Sequence, residues 1–202
     1  MKVCGITNEQ DAFLACEAGA GALGFIFYEK SPRFIRPFAA EKIISKLPES
    51  VRKVGVFVNA PVEDINTRFK FLDFAQLHGD EMPEYCRQVA LPVIKVFRVQ
   101  ASFDSREMQS YNPDGFLLDT YSPAQRGGTG ESFDWQIARE ASKYGKIILS
   151  GGLNADNVLQ AVNTALPDAV DVNSGIEAAP GKKDIKKLKS FFKVLKETYL
   201  FK

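Results

Sequence analysis

The 202-residue chain carries 45% hydrophobic and 25% charged residues, ordinary globular usage that excludes the disordered and fibrous classes. Its 26 Lys and Arg against 25 Asp and Glu leave a formal charge of +1, so the overall balance does not call for nucleic acid or an anionic membrane; any anion is bound locally. No apolar run approaches the ~20 residues of a membrane helix, and Met1-Lys2-Val3 enters structured sequence at once with no room for a leader, so a cytoplasmic location is expected. The three cysteines, Cys4, Cys16 and Cys86, form no CxxC pair and fit free thiols in a reducing compartment. A single histidine, His78, argues against metal-hydrolase and metal-epimerase designs, whose metals are usually held by imidazole.

In chain order, apolar runs of strand character fall at residues 3–6, 22–27, 54–58, 74–77, 93–99, 116–118, 147–149 and 169–172. They are continuous rather than alternating, as in parallel strands buried on both faces. Segments of helical period lie between them. Ala12, Ala15, Cys16 and Gly19 follow the first strand, Ala40, Ile43, Ile44 and Leu47 the second, Met82, Tyr85, Cys86 and Val89 the fourth, and Val158, Ala161, Val162 and Ala165 the seventh. Start signals accompany them: a capping box of Thr7 with Gln10, Pro61 after Asn59, Asn154 before the seventh helix and Asp184 before the last. The helix after the fifth strand, residues 102–109, has the poorest pattern. The last helix is expected to bury Ile185, Leu188, Phe192 and Leu195, with the lysines of 182–196 on its solvated face. Eight strands alternating with eight helical segments are the arithmetic of an α/β protein with a single-domain (β/α)8 TIM barrel over residues 1–202. An open doubly wound sheet gives the same alternation, and periodicity does not separate the two.

In a barrel the reactive groups stand at the C-terminal ends of the strands and in the loops that follow. Those positions hold Cys4-Gly5, Ser31-Pro32-Arg33, Asn59, His78, Arg98, Asp119, Ser150-Gly151-Gly152, and Asp171 with Asn173-Ser174-Gly175. The last two loops suggest a phosphate site, because glycines let backbone N–H groups approach an oxyanion and barrels often place phosphate after strands seven and eight. Tight turns are the plainer alternative. Cys4 and Asp119 form a base and acid pair if their surroundings tune the two groups in opposite directions, with Lys2 placed by strand parity to assist the thiolate. Otherwise Cys4 is a small buried hydrophobe and Asp119 a cap or loop carboxylate. Arg33 suits a carboxylate clamp or a surface ion pair. His78 is a ligand contact or, more commonly for a lone histidine, a satisfied core residue. Gly127-Gly128-Thr129-Gly130 reads as a loop hinging over a bound substrate, or as a plain turn.

Together these segments resemble the phosphoribosylanthranilate isomerase family of tryptophan biosynthesis from end to end. The series is Lys2-Val3-Cys4-Gly5-Ile6-Thr7, Gly24-Phe25-Ile26-Phe27, Ser31-Pro32-Arg33, Gly55-Val56-Phe57-Val58-Asn59, Gln76-Leu77-His78-Gly79, Leu117-Leu118-Asp119, Gly127-Gly128-Thr129-Gly130, Ser150-Gly151-Gly152-Leu153, and Asp171-Val172-Asn173-Ser174-Gly175-Ile176-Glu177. The resemblance implies an aldose-ketose type isomerase, an intramolecular oxidoreductase working without metal or organic cofactor. It would carry out the Amadori rearrangement of N-(5-phosphoribosyl)anthranilate to 1-(2-carboxyphenylamino)-1-deoxyribulose 5-phosphate. It assigns Asp119 as the acid that protonates the ribose ring oxygen and Cys4 as the base that removes the C2 proton. Arg33 would hold the anthranilate carboxylate, Gly151, Gly152, Ser174 and Gly175 the phosphate, and Asp171 would contact the sugar. The implied partner is this small molecule alone, for a monomer or a homodimer. Asn173-Ser174 stands where many relatives have two serines, and the first strand begins with hardly a residue ahead of it, so closure between the first and eighth strands is expected to be lightly buttressed.

Rival readings are another phosphate-binding barrel enzyme or a catalytically silent barrel kept as a binding module. A metal-dependent epimerase needs several histidines. The indole-glycerol-phosphate synthase of the same pathway needs a lysine at a strand end, for which Lys95, inside the fifth strand, is the nearest candidate. Loss of Cys4 or Asp119 would favour the silent barrel, yet both are present.

Overall fold

In a computed structural model of the chain the described residues are 1–100, 102–120 and 134–196. Eight parallel strands pair in sequence order: β1 Lys2–Val3, β2 Ala22–Ile26, β3 Arg52–Phe57, β4 Phe74–Leu77, β5 Val93–Val99, β6 Gly115–Thr120, β7 Ile147–Leu149 and β8 Ala169–Val172. The last returns to the first, with Lys2 opposite Asp171 and Val3 opposite Val172, so the sheet is a closed barrel and the open-sheet alternative is set aside. The helices α1 Glu9–Ala18, α2 Pro37–Ile44, α3 Val62–Arg68, α4 Pro83–Gln88, α5 Gln136–Ala141, α6 Val158–Ala165 and α7 Ile185–Lys196 follow strands one to four and six to eight. After β8 a short hairpin, β9 Glu177–Ala179 with β10 Lys182–Lys183, precedes α7. No helix among the described residues is long and apolar enough to cross a membrane.

Side chains alternate along each strand between two apolar environments, which is why the strands read as unbroken hydrophobic runs. Val54, Ile94, Val96 and Leu117 point inward and plug the lower barrel with Ala22, Phe74 and Ile148 packed on them. Their neighbours Phe25, Phe57, Leu77, Phe116, Leu118 and Leu149 point outward into the layer shared with the buried faces of the helices. Above the plug the inward positions turn polar, and that change of chemistry positions the site.

Several expected details differ. β1 leaves its ladder after Val3 rather than running to Ile6, because Gly5 adopts φ +72°, although Cys4 N–H still donates to Val172 O and Ile6 N–H to Gly24 O. The cap of α1 is Asn8, whose Oδ1 accepts from Asp11 N–H at 2.8 Å; Thr7 bonds instead to the Gly181 carbonyl. Met82 precedes α4 and is exposed. Asn154 does not start α6 directly: its side chain organises the turn at Asp156 and Asn157, and the helix begins at Val158. The connection after β5 tightens to a 3₁₀ helix, Ser105–Ser110, capped by Asp104 and burying Met108. In α7 the buried face is Leu188, Phe191, Phe192 and Leu195, whereas Ile185 is exposed.

Phe25 is fully buried in the outer layer and Phe38 is 76% exposed. Phe25→Ala is expected to lower unfolding free energy by about 3–5 kcal/mol through lost burial and a residual cavity, and Phe38→Ala to stay within about 0.5 kcal/mol, both measured by urea titration.

Candidate active site

The polar layer starts with a lysine inside the barrel. Lys2 points inward from β1, and burying an ammonium is costly unless it is paired. Its Nζ lies 2.9 Å from Asp171 Oδ1, with both side chains 5% exposed. Burial alone would push Lys2 down, but the carboxylate of Asp171 and the thiol of Cys4 raise it, so the ammonium persists. Asp171 is pushed up by burial, against the pull of Lys2 and with a further push from the like charge of Asp119.

Cys4 stands one step above Lys2 on the same face. Room for its sulfur comes from Gly24 on β2, where a Cβ would lie 2.7 Å from Cys4 Sγ. Burial raises the thiol above its ordinary value, Lys2 being the largest influence in the other direction. The tuning expected of a resident thiolate is therefore not met: desolvation outweighs the nearby cation.

Arg33, from the loop after β2, is buried against Glu177 at the start of the β9–β10 hairpin. Its Nε is 3.0 Å from both carboxylate oxygens and its Nη2 2.7 Å from Oε2. Among the described residues its other terminal nitrogen carries no hydrogen bond. Glu177 has a second cation, Lys183, whose Nζ is 3.1 Å from Oε1, 2.6 Å from the Cys4 carbonyl and 3.0 Å from Asn173 Oδ1. Lys183 thus does not belong to a solvated helix face: the hairpin turns it inward, where its N–H is anchored on Asp11 Oδ2. Burial would raise Glu177, but Arg33 and Lys183 hold it below the usual carboxylate value; on Lys183 burial prevails and lowers the ammonium.

Asp119 lies within β6, not after it, and points into the mouth. Its Oδ1 accepts from Thr120 N–H at 2.9 Å, and its Oδ2 is 3.4 Å from His78 Nε2, long for a hydrogen bond. His78 lines the mouth beside Asp119, so the reading of a satisfied core histidine does not hold. The loops after β7 and β8 form the opposite wall. Gly151 and Gly152 take φ +86° and +63°, a left-handed pair that other residues resist. A Cβ on Gly175 would collide with the Leu153 carbonyl, so this glycine lets the two loops touch.

One depression at the C-terminal end of the barrel therefore gathers Cys4, Arg33, Asp119, Gly151, Gly152, Asp171 and Ser174 of the expected residues; Gly175 sits behind the wall. Gly127-Gly128-Thr129-Gly130 lies outside the described residues. Sequence reasoning missed Gln76, which lines the floor, and the pair Glu177 and Lys183. The signal available for Gln76 was its inward parity with His78. Lys95, the candidate of a rival reading, points away from the mouth into the outer layer, where its Nζ is 2.7 Å from Glu81 Oε2 and 2.9 Å from the Gly79 carbonyl.

Comparison with known proteins matches residues 1–194 to the family model "N-(5'phosphoribosyl)anthranilate (PRA) isomerase". The chain is 50% identical over 200 residues to the N-(5'-phosphoribosyl)anthranilate isomerase of Trichlorobacter lovleyi, covering 98% of both. It is similar in structure to phosphoribosyl anthranilate isomerase from Thermotoga maritima, with TM-score 0.87, 41% identity and 98% of both chains covered. A further solved structure, with TM-score 0.84, 40% identity and 98% coverage of both chains, is a phosphoribosyl anthranilate isomerase in complex with reduced 1-(o-carboxyphenylamino)-1-deoxyribulose 5-phosphate.

The buried Glu177 carries a measurable consequence. Glu177→Gln leaves Arg33 and Lys183 without their carboxylate and is expected to cost about 3–5 kcal/mol at neutral pH. Because the folded-state pKa of Glu177 is depressed, its stabilisation is complete above the unfolded carboxylate pKa and is lost as pH falls through the folded one. The gap between wild type and variant in urea should therefore narrow on acidification; a gap that stays constant down to pH 3 would rule out the charged carboxylate as its source.

Proposed function

The chain belongs to the N-(5'-phosphoribosyl)anthranilate isomerase family, and on that premise we propose that Cys4 and Asp119 are the base and acid of its reaction. It is an isomerase of tryptophan biosynthesis. The observation that carries the assignment is that the thiol and the carboxyl line the same depression as Arg33 and the glycine loops, above a floor of buried, paired charges.

In this reading the reaction is an aldose-ketose type isomerisation that needs no metal or organic cofactor, since each step is a proton transfer. Asp119 donates a proton to the ribose ring oxygen as the C1–O bond breaks, and the anthranilate nitrogen supplies the electron pair that makes the Schiff base. Cys4 takes the proton from C2; the C–H electrons form the C1–C2 double bond of an enolamine, which tautomerises to the ketone. The thiol must ionise against its own burial, and the ammonium of Lys2 is the countercharge that makes this affordable in a low dielectric. Asp171, fixed by Lys2, contacts the sugar. The free edge of the Arg33 guanidinium takes the anthranilate carboxylate while the other edge stays on Glu177. Backbone of Gly151, Gly152 and Ser174 meets the phosphate, with Gly175 behind them letting the two loops approach.

The whole of residues 1–202 serves as one catalytic barrel for this phosphorylated small molecule, as a monomer or homodimer. The three thiols, which are free in the structure, suit a cytoplasmic setting.

Cys4→Ala and Asp119→Asn are each expected to lower kcat by about 10²–10⁴-fold with unfolding midpoints little changed, followed by the loss of substrate fluorescence in the presence of a chelator. Arg33→Lys, which keeps the charge but loses the fork, should raise KM more than it lowers kcat. Full turnover in Cys4→Ala would remove the thiol from the mechanism.

A further inference from the structure

A carboxyl that acts as an acid at neutral pH needs a reason to hold its proton, because the reference carboxylate pKa of about 3.9 leaves roughly one molecule in a thousand protonated at pH 7. On one side of Asp119, Oδ1 accepts from Thr120 N–H at 2.9 Å. The other oxygen faces His78. Among the described residues, three buried side-chain polar atoms lack a hydrogen-bond partner, and two of them, His78 Nε2 and Gln76 Oε1, lie together on this floor. Buried polar atoms without partners are rare enough that a pair in one place calls for a reason.

Resting on the reading of Asp119 as the acid, we propose that His78 is a positioning residue that loads the proton onto Asp119, and that Gln76 selects its tautomer. The geometry runs in a line: Gln76 Nε2 is 3.4 Å from His78 Nδ1, and His78 Nε2 is 3.4 Å from Asp119 Oδ2. With the Gln76 amide nitrogen turned to the ring, Nδ1 is an acceptor, so neutral His78 carries its proton on Nε2 and directs it at the Asp119 carboxylate. With the amide reversed, Oε1 accepts from Nδ1–H, which suits either imidazolium or the other tautomer; the two orientations are close in shape. Loading then balances. Imidazolium, protonated from solvent, gives up its Nε2 proton as the N–H bond breaks and an O–H bond forms at Oδ2, leaving neutral His78 with Nδ1–H on Gln76 and Asp119 as the carboxylic acid. Both contacts, at 3.4 Å, are long for hydrogen bonds and are expected to shorten on loading.

Among the described residues the mouth also carries Tyr28, and its other charged or titratable groups have partners or roles of their own. From β1, Lys2 is bonded to Asp171 and Cys4 is the base; from the loop after β2, Arg33 is on Glu177; from β5, Arg98 bonds Asp80 at 2.7 Å. Asp171 of β8 has Asp119 as a like charge nearby, which adds to the push of burial on Asp171.

His78 is the one histidine of the chain, so its imidazole resonances in an untagged, ¹⁵N-labelled protein need no assignment. The expected result is Nε2–H as the neutral tautomer in the free enzyme, and a titration midpoint that drops by about one unit in Asp119→Asn, the scale on which a nearby opposite charge moves a pKa. Gln76→Leu should keep the fold and mix the tautomers. In kinetics, His78→Gln should lower kcat at pH 7.5 by about 10–100-fold with KM little changed, and move the alkaline limb of kcat to lower pH; a structural role would lower kcat evenly across pH. A midpoint indifferent to Asp119→Asn, or an Nδ1–H resting tautomer indifferent to Gln76→Leu, overturns the pairing and leaves the acid assignment standing. Full turnover in Asp119→Asn instead overturns the acid assignment itself.

Discussion

The buried ammonium of Lys183 holds the mouth of this barrel together. From one nitrogen it reaches the carbonyl of Cys4 at the end of the first strand, the side chain of Asn173 after the last strand, and Glu177, which in turn carries Arg33 from the loop after β2. Strand β1 has only two residues in its ladder, so closure between the first and eighth strands depends on more than backbone pairing. Lys2 with Asp171 fastens the joint inside the barrel and Lys183 fastens it above. A light buttress was expected here from sequence; charge supplies what strand length does not.

The same pairs decide the electrostatics of catalysis. Taking five charges out of water is costly, and each is retained only with a partner at hydrogen-bond distance. That cost is accepted on the floor of the pocket, where a substrate with a carboxylate and a phosphate must be held and oriented. Two consequences follow in opposite directions. Burial raises the thiol of Cys4, while the low dielectric that raises it also strengthens the pull of Lys2 on any negative charge formed there.

The barrel was legible because it rests on a count: eight apolar runs of the right length, each followed by a helical segment, and seven of those segments are α-helices. The residues at the strand ends were legible for the same reason, since strand ends in a barrel converge on one face, and Cys4, Asp119, Asp171 and the two glycine loops all arrive there. What failed to show was geometry without period. Glu177 and Lys183 sit in a hairpin too short to leave a pattern, and Lys183 was hidden in a run of lysines that the following helix does expose. Thr7 and Asn8 are both good caps, and only the chain direction set by the positive φ of Gly5 decides between them. The 3₁₀ turn after β5 was the segment of poorest period, consistent with its single buried residue, Met108.

His78 illustrates how far residue type leads when position is unknown. A lone histidine is more often a quiet core residue, and nothing in the run Gln76-Leu77-His78 alters that balance until strand parity is known. Leu77 faces the outer core and is fully buried, which turns Gln76 and His78 inward together, and inward at this height means toward Asp119. The polar pair Gln76 and His78, one layer above an apolar plug of Val54, Ile94, Val96 and Leu117, marks the depth at which packing stops governing the barrel and chemistry begins.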